Sequence, residues 1–97
     1  MKRDKSILQS DMTKCYICGK PAVHTHEIFF GSANRKNSIK WGCYVGLCYE
    51  HHEGNTGAHL CRETDMKLKQ DCEKAFEDLY GREKFKEVFG KYWRDDE

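Results

Sequence analysis

The chain has little net charge and no long apolar segment. Its 97 residues carry 17 Lys and Arg against 16 Asp and Glu, a formal net charge of +1. A global positive field that would attract nucleic acid is therefore absent, and any such contact must come from a local patch. No apolar run approaches the ~20 residues that a membrane span needs. The length and composition favour one small domain that does not enter a membrane.

The N-terminal segment also lacks the apolar middle part of a signal peptide. Between Met1 and Asp11, Ile7 and Leu8 are the only two adjacent apolar residues. We therefore expect an intracellular, cytoplasmic protein. The chain has six cysteines, and disulfide scaffolds belong mainly to secreted proteins. Metal binding is thus the favoured interpretation of these cysteines, with disulfides as the alternative.

Four residues have the spacing of a metal site. Cys15 and Cys18 form a C-x2-C pair, followed by Gly19, and Cys48 and His51 form a C-x2-H pair. The first spacing lets two thiolates occupy two corners of a tetrahedron with little strain. Four nitrogen and sulfur ligands favour zinc and leave no position for a substrate, so we predict one structural zinc ion. The alternative is a core Cys48 and a surface His51.

The remaining cysteines show no such pattern. Cys43 lies in a short apolar run that ends at Cys48, and Cys72 lies on a helical stripe. Both are typical of small core residues. Cys61 has no partner at ligand spacing.

The order of patterns predicts an α+β fold. The segments are a flexible N-terminal arm over 1–13, a single domain over 14–93 and a frayed tail over 94–97. Within the domain we predict a zinc turn over 14–21, strands over 22–30 and 43–48, a polar basic loop over 31–42 and a short helix over 49–53. The last third is helical. Thr64 or Asp65 is the expected cap of its first helix and Gly81 its end, and apolar stripes surround Phe76 and Phe85.

Histidines gather around the predicted zinc turns. Besides His51, the chain has His24, His26, His52 and His59. Strand alternation places His24 and His26 on one face and Glu27 on the other. His52 leaves its helix in a different direction from His51. Such a cluster is able to form an open site for a divalent ion, with positions left for water and phosphate.

The order of these motifs resembles the HNH endonucleases of the ββα-metal fold. The resemblance rests on the C-x2-C pair, on His26-Glu-Ile at the end of a strand and on Leu47-Cys-Tyr-Glu-His-His52. Within that family, the chain looks most like small phage-encoded proteins associated with recombination. The similarity covers about residues 14–80.

The resemblance implies roles for individual residues. It makes His26 or Glu27 catalytic, and it makes His52 and His59 ligands of a catalytic Mg²⁺ or Mn²⁺ ion. DNA would be the substrate, a recombination protein would be a possible partner, and the host cytoplasm would be the location. If His26 takes the first position of the strand motif, it is a ligand and Glu27 is the base. If His26 is the base, the preceding residue is Thr25, a poor ligand. The usual motif Asn before the zinc cysteine has no counterpart near Trp41.

The predicted basic loop offers a local patch for DNA. Arg35, Lys36 and Lys40 are cations able to contact phosphates, and Trp41 could stack on a base. A solvated loop with a packed Trp is the alternative. Two functions follow, a metal-dependent DNA endonuclease or a zinc-stabilised nucleic-acid-binding or adaptor module without catalysis.

Overall fold

The computed structural model describes residues 6–54, 57 and 61–94, and this part of the chain forms two strands and four helices. In chain order they are β1 (His24–Glu27), α1 (Ser32–Trp41), β2 (Tyr44–Leu47), α2 (Tyr49–His52), α3 (Arg62–Tyr80) and α4 (Arg82–Phe89). The strands pair antiparallel, with His24 opposite Leu47 and His26 opposite Val45. The predicted α+β class is confirmed. Both predicted strands and the short helix after β2 are present, but β1 is shorter than the predicted strand over 22–30.

The N-terminal segment lies against β2. The Ser6 hydroxyl donates to the Tyr44 carbonyl at 2.6 Å, and the Ile7 amide donates to the Gly42 carbonyl at 2.9 Å. Further along, the Gly46 amide donates to the side-chain oxygen of Gln9 at 2.9 Å. The bonds at Tyr44 and Gly46 satisfy backbone groups of β2 that face away from β1, because a strand in a two-stranded sheet has one unpaired edge.

The prediction of a loop over residues 31–42 is wrong, since most of this segment is helix α1. Asn and Ser favour loops because their side chains compete for nearby backbone groups. Here they bond to distant elements instead. The Asn37 amide donates to the Val88 carbonyl at 2.9 Å, in the last turn of α4 where carbonyls lack helical partners. The Ser38 hydroxyl donates to the Phe29 carbonyl at 2.8 Å.

Helices α3 and α4 carry the apolar core. The predicted stripe is buried at Leu68, Cys72 and Phe76, and α3 ends at Gly81 as expected. Helix α3 begins at Arg62, with Cys61 in the cap position, slightly earlier than the predicted start at residues 64–65. Boundaries of this kind are the least certain part of a prediction from sequence.

Aromatic rings join these helices to the end of β1. The ring centroids of Phe29 and Phe89 lie 4.4 Å apart, and those of Phe76 and Phe85 lie 5.5 Å apart. Cys43 and Cys72 are buried in the same core, as predicted. Among the described residues, no helix is both long and apolar enough to cross a membrane.

Candidate metal centre

Four donor atoms converge between β2, α2 and the turn that precedes β1. The donor atoms of Cys15, Cys18, Cys48 and His51 all lie within 4.8 Å of one another, and we call this group the thiol cluster. Cys48 Sγ is 3.7 Å from Cys18 Sγ and 3.3 Å from His51 Nδ1. A tetrahedron with Zn–S bonds of ~2.3 Å has edges of about 3.8 Å. The thiol cluster therefore has the dimensions to hold a metal ion such as zinc.

The first pair of thiols is set by a closed turn. The Cys15 amide donates to the Lys20 carbonyl at 2.7 Å, and the Gly19 amide donates to the Cys15 carbonyl at 2.9 Å. Gly19 has a φ of +80°, a backbone conformation that residues with a Cβ atom rarely adopt. A bridge between Lys14 and Pro21 closes the base of the turn. The turn holds both thiols on the side that faces β2.

The second pair comes from the junction of β2 and α2. Cys48 follows β2 directly and precedes α2, in which His51 lies about one turn later. The turn that carries Cys15 and Cys18 is fixed to β2, because the Tyr16 amide donates to the Gly46 carbonyl at 2.9 Å. The approach is so close that a Cβ atom on Gly46 would lie 2.6 Å from the Met12 carbonyl oxygen. Gly46 is therefore the residue that lets the two halves of the thiol cluster meet.

The electrostatics of the thiol cluster favour a ligand in its charged form. Burial acts to raise the pKa of the Cys15 thiol, but hydrogen bonds from backbone N–H groups of both turns outweigh it and lower the pKa to about 6. A thiolate, and not a thiol, is the metal ligand. All six cysteines are free thiols.

A second group of donors lies directly beside the thiol cluster. His52 follows His51 in α2, but its ring points the other way, with Nδ1 at 2.9 Å from His24 Nδ1. The carboxylate Oε2 of Glu53 is 3.6 Å from His24 Nδ1 and 3.8 Å from His52 Nδ1. We call His24, His52 and Glu53 the histidine cluster. Its three donor atoms lie within 4.8 Å of one another, a separation at which they could share a cation.

His26 stands at the edge of this cluster. Its ring centroid is 5.2 Å from that of His52, and its side chain is 3% exposed. His24 and His26 thus share the face of β1 that meets α2, as strand alternation predicts.

A cleft of about 210 Å³ opens next to these rings. Its lining includes His26, His52, Glu27 and Arg35. The Arg35 Nε donates to the Glu27 Oε1 at 3.1 Å, and the guanidinium side chain is 67% exposed whereas that of Glu27 is 8% exposed. The carboxylate therefore lies beneath a cation that reaches solvent at the mouth of the cleft.

The other predicted site residues have different surroundings. His59 lies outside the described residues. Lys36 and Lys40 are exposed on α1 and lie one turn apart, on the same helical face. The Trp41 ring packs against Phe76 and Tyr80, with centroid distances of 5.5 and 5.2 Å. Those contacts anchor α1 on α3, and stacking of Trp41 on a base stays a prediction.

Sequence reasoning missed Glu53. The sequence prediction places Glu53 at the end of the short helix over 49–53, where Gly54 and Gly57 mark the start of a loop, and gives it no role as a ligand. One signal was available, since a carboxylate directly after a histidine pair adds an oxygen donor to two nitrogen donors. The pairing of Glu27 with Arg35 was also missed. Arg35 lies in the predicted loop, and a loop gives no regular direction for a side chain from which to infer its partner.

Comparison with known proteins gives no relative for this chain: no family model matches it, and neither a curated protein nor a solved structure matches it.

Proposed function

We propose that this protein is a metal-dependent DNA endonuclease of the HNH type, which hydrolyses phosphodiester bonds in phage or mobile-element DNA processing and recombination. The observation that carries the proposal is that His26, His52 and Arg35 line the same cleft. A general base, a metal-binding group and a phosphate-binding cation are thereby available within one small volume. The order of β1, β2 and α2 also agrees with the ββα-metal fold.

His26 is the general base of this proposal. Its imidazole lines the cleft, beside the cluster in which an ion would bind, so a water molecule in the cleft can be within its reach. An imidazole has an ordinary pKa near neutrality, which suits it to accept a proton from water. The water gives its proton to His26 and its oxygen attacks phosphorus. The bond from phosphorus to the leaving oxygen breaks, and that oxygen takes a proton from solvent.

Arg35 is the phosphate-binding residue, and Glu27 positions it. The guanidinium is a fixed fork of donors that matches phosphate oxygens. The 3.1 Å bond to the buried Glu27 carboxylate holds the Nε side of that fork and leaves the exposed head directed to solvent. The need to hold Arg35 thus explains a carboxylate at position 27, and Glu27 does not have to be the general base.

Two metal ions serve different purposes in this proposal. A zinc ion in the thiol cluster is structural, because four protein ligands close its coordination. A divalent ion held beside His52 would supply positive charge to the scissile phosphate and the leaving oxygen. Mg²⁺ or Mn²⁺ is the ion expected from the resemblance, with His59 as a further ligand.

Helix α1 gives the DNA a surface to bind. Arg35, Lys36 and Lys40 are three exposed cations on one short helix, and Arg35 lines the cleft. Contacts of this kind position the backbone without reading sequence. Because the whole chain has a formal net charge of only +1, we expect modest affinity that falls steeply with salt.

A nicking assay on supercoiled and branched DNA, with Mn²⁺ or Mg²⁺, tests the proposal. We expect His26→Ala to lower the cleavage rate by about 10²–10⁴-fold, the usual contribution of a general base. Val23→Ala is the matched control, because Val23 directly precedes the same strand, is exposed and does not line the cleft. Arg35→Ala should weaken DNA binding, and Lys74→Ala, which removes an exposed cation from α3, should not.

The same assay decides between the alternatives. If Glu27→Gln abolishes cleavage as fully as His26→Ala without changing DNA affinity, Glu27 is the base. If the folded protein binds DNA but no divalent ion supports cleavage, the chain is a zinc-stabilised nucleic-acid-binding or adaptor module.

A further inference from the structure

The histidine cluster has the geometry of neighbouring metal ligands. Two donors at ~2.1 Å from an ion and about 90° apart lie about 3 Å from each other. His24 Nδ1 and His52 Nδ1 are 2.9 Å apart, and Glu53 Oε2 lies 3.6 and 3.8 Å from them. A separation of 2.9 Å also fits one hydrogen bond between neutral rings, but such a bond does not account for a carboxylate placed near both nitrogens.

The cluster is accessible from one side. The side chains of His24 and Glu53 are 38% and 49% exposed, and that of His52 is 14% exposed. An ion could therefore enter from solvent, and three protein donors would leave coordination positions for water or a phosphate oxygen. The thiol cluster differs, since its four donors form a closed set.

The backbone around α2 keeps these donors together. Glu53 is the C-cap residue of α2, and the Gly54 amide that follows it donates to the Tyr49 carbonyl at 3.0 Å. Gly57 is buried against the helix, and a Cβ there would lie 2.8 Å from the His52 carbonyl carbon. The chain thus turns sharply at the end of α2, and Glu53 is held next to β1.

We propose that His24, His52 and Glu53 form a second cation site that selects a transition-metal ion over Mg²⁺. Two imidazole nitrogens and one carboxylate suit Mn²⁺, Fe²⁺, Co²⁺, Ni²⁺ or Zn²⁺. Mg²⁺ prefers oxygen ligands in a near-ideal octahedron and keeps several waters. The site makes His24 a ligand and leaves His26 outside the coordination sphere. It lies within the proposed nuclease centre, but the binding of the ion does not depend on cleavage.

A titration with Co²⁺ tests the site in the full chain. Zinc is first bound at one equivalent, so that it fills the thiol cluster, and Co²⁺ is then added while visible absorption is recorded. We expect one further equivalent to bind with weak ligand-field bands and without the intense sulfur-to-cobalt charge-transfer band of a thiolate site. About a hundredfold excess of Mg²⁺ should fail to displace it.

Substitutions assign the ligands. His24→Ala and Glu53→Gln should each weaken Co²⁺ binding by at least about tenfold, while the bound zinc stays at one equivalent. Thr25→Ala is the control on the strand, and Glu50→Gln is the control on α2, since it removes one carboxylate charge from the same helix. Circular dichroism confirms that each variant is folded.

Three results would overturn the site. They are the absence of a second equivalent, Co²⁺ binding that survives both ligand substitutions, and displacement by Mg²⁺ at equal concentration. The nuclease proposal is judged separately. Co²⁺ binding without cleavage leaves this site standing and removes the nuclease, whereas cleavage by a protein that binds no second equivalent of Co²⁺ removes this site and leaves the nuclease standing.

Discussion

The thiol cluster and the histidine cluster share one short helix but differ in chemistry and exposure. The thiol cluster has three sulfur atoms and one nitrogen, with Cys15 and Cys48 buried. The histidine cluster has two nitrogens and one oxygen on side chains that reach solvent. Soft thiolates favour zinc in a closed site, whereas imidazole and carboxylate leave an ion open to exchange.

The difference shows how one helix can serve two sites. Successive residues of an α-helix point about 100° apart. His51 and His52 therefore face different neighbours, the first turned to the cysteines and the second to β1. The closed cluster holds the helix in place, and the open cluster then receives a fixed His52. We expect damage to the thiol cluster to abolish folding, and damage to the histidine cluster to leave folding intact.

Removal of zinc should give the largest effect. In small metal-binding domains, zinc contributes about 10–16 kcal/mol of apparent binding free energy, which is also folding free energy. We expect chelation, or Cys48→Ser, to unfold the protein, as measured by circular dichroism with elemental analysis for zinc. Cys61→Ser is the matched control, because serine suits the cap position before α3. If the protein stays folded without metal, the thiol cluster is not needed for folding, and the proposed difference from the histidine cluster is wrong.

Gly46→Ala should have the next largest effect. The new Cβ would lie 2.6 Å from the Met12 carbonyl oxygen and 3.0 Å from the Ala22 Cβ. Overpacking of this kind typically costs about 1–3 kcal/mol, and here it would separate the first zinc turn from β2. Urea unfolding of the zinc-loaded protein measures the loss. If the double variant Ala22→Gly/Gly46→Ala recovers full stability, the backbone contact at Met12 is not the cause.

Asn37→Ala tests how α1 is held near the histidine cluster. The substitution removes the 2.9 Å bond to the Val88 carbonyl at the end of α4. We expect a loss of about 1 kcal/mol in the free energy of unfolding, the usual net value of one hydrogen bond. Lys36→Ala, at the exposed neighbour, should change stability much less. Equal losses in both variants would show that the contact with α4 is not the cause, and helix propensity cannot explain either loss because alanine is the best helix former.

Glu73→Gln should give the smallest effect, and it lies on α3, outside both clusters. Burial, helped by Glu77, raises the pKa of the Glu73 carboxyl from 4.5 to about 7. The folded state therefore holds this proton more tightly, and the stability so gained is present below pH 4.5 and lost as the pH rises through 7.

Glutamine does not ionise, so the variant does not lose this stability as the pH rises. Relative to the unsubstituted protein, we expect its free energy of unfolding to increase by on the order of 1 kcal/mol from pH 5 to pH 8. Urea unfolding at the two pH values measures this difference. A constant difference would contradict the raised pKa. Zinc binding should not change, and a change would show that the two halves of the molecule are coupled.

Spacing alone predicted much of the thiol cluster. Cys15 and Cys18, and Cys48 and His51, each lie within one turn of chain, so local geometry brings each pair together whatever the rest of the fold does. The strands that flank the cluster were also predictable, because β-branched and aromatic residues mark them. The helical stripe through Leu68, Cys72 and Phe76 followed from its period.

Helix α1 was not predictable in this way. Its few apolar residues do not form a stripe, and Asn and Ser argue locally for a loop. The bonds that outweigh this preference run to residues about 50 positions away along the chain. Because α1 was missed, so was the contact between Arg35 and Glu27.

The sequence by itself determined the ligand pairs, the strands between them and the face of β1 that bears His24 and His26. These depend on periods of two to four residues, which are local properties of the backbone. Only the tertiary structure decided that His52 meets His24, that Glu53 joins them and that Arg35 stands over Glu27. Such contacts depend on how separate elements pack, and no local pattern encodes a distance between residues so far apart in the chain.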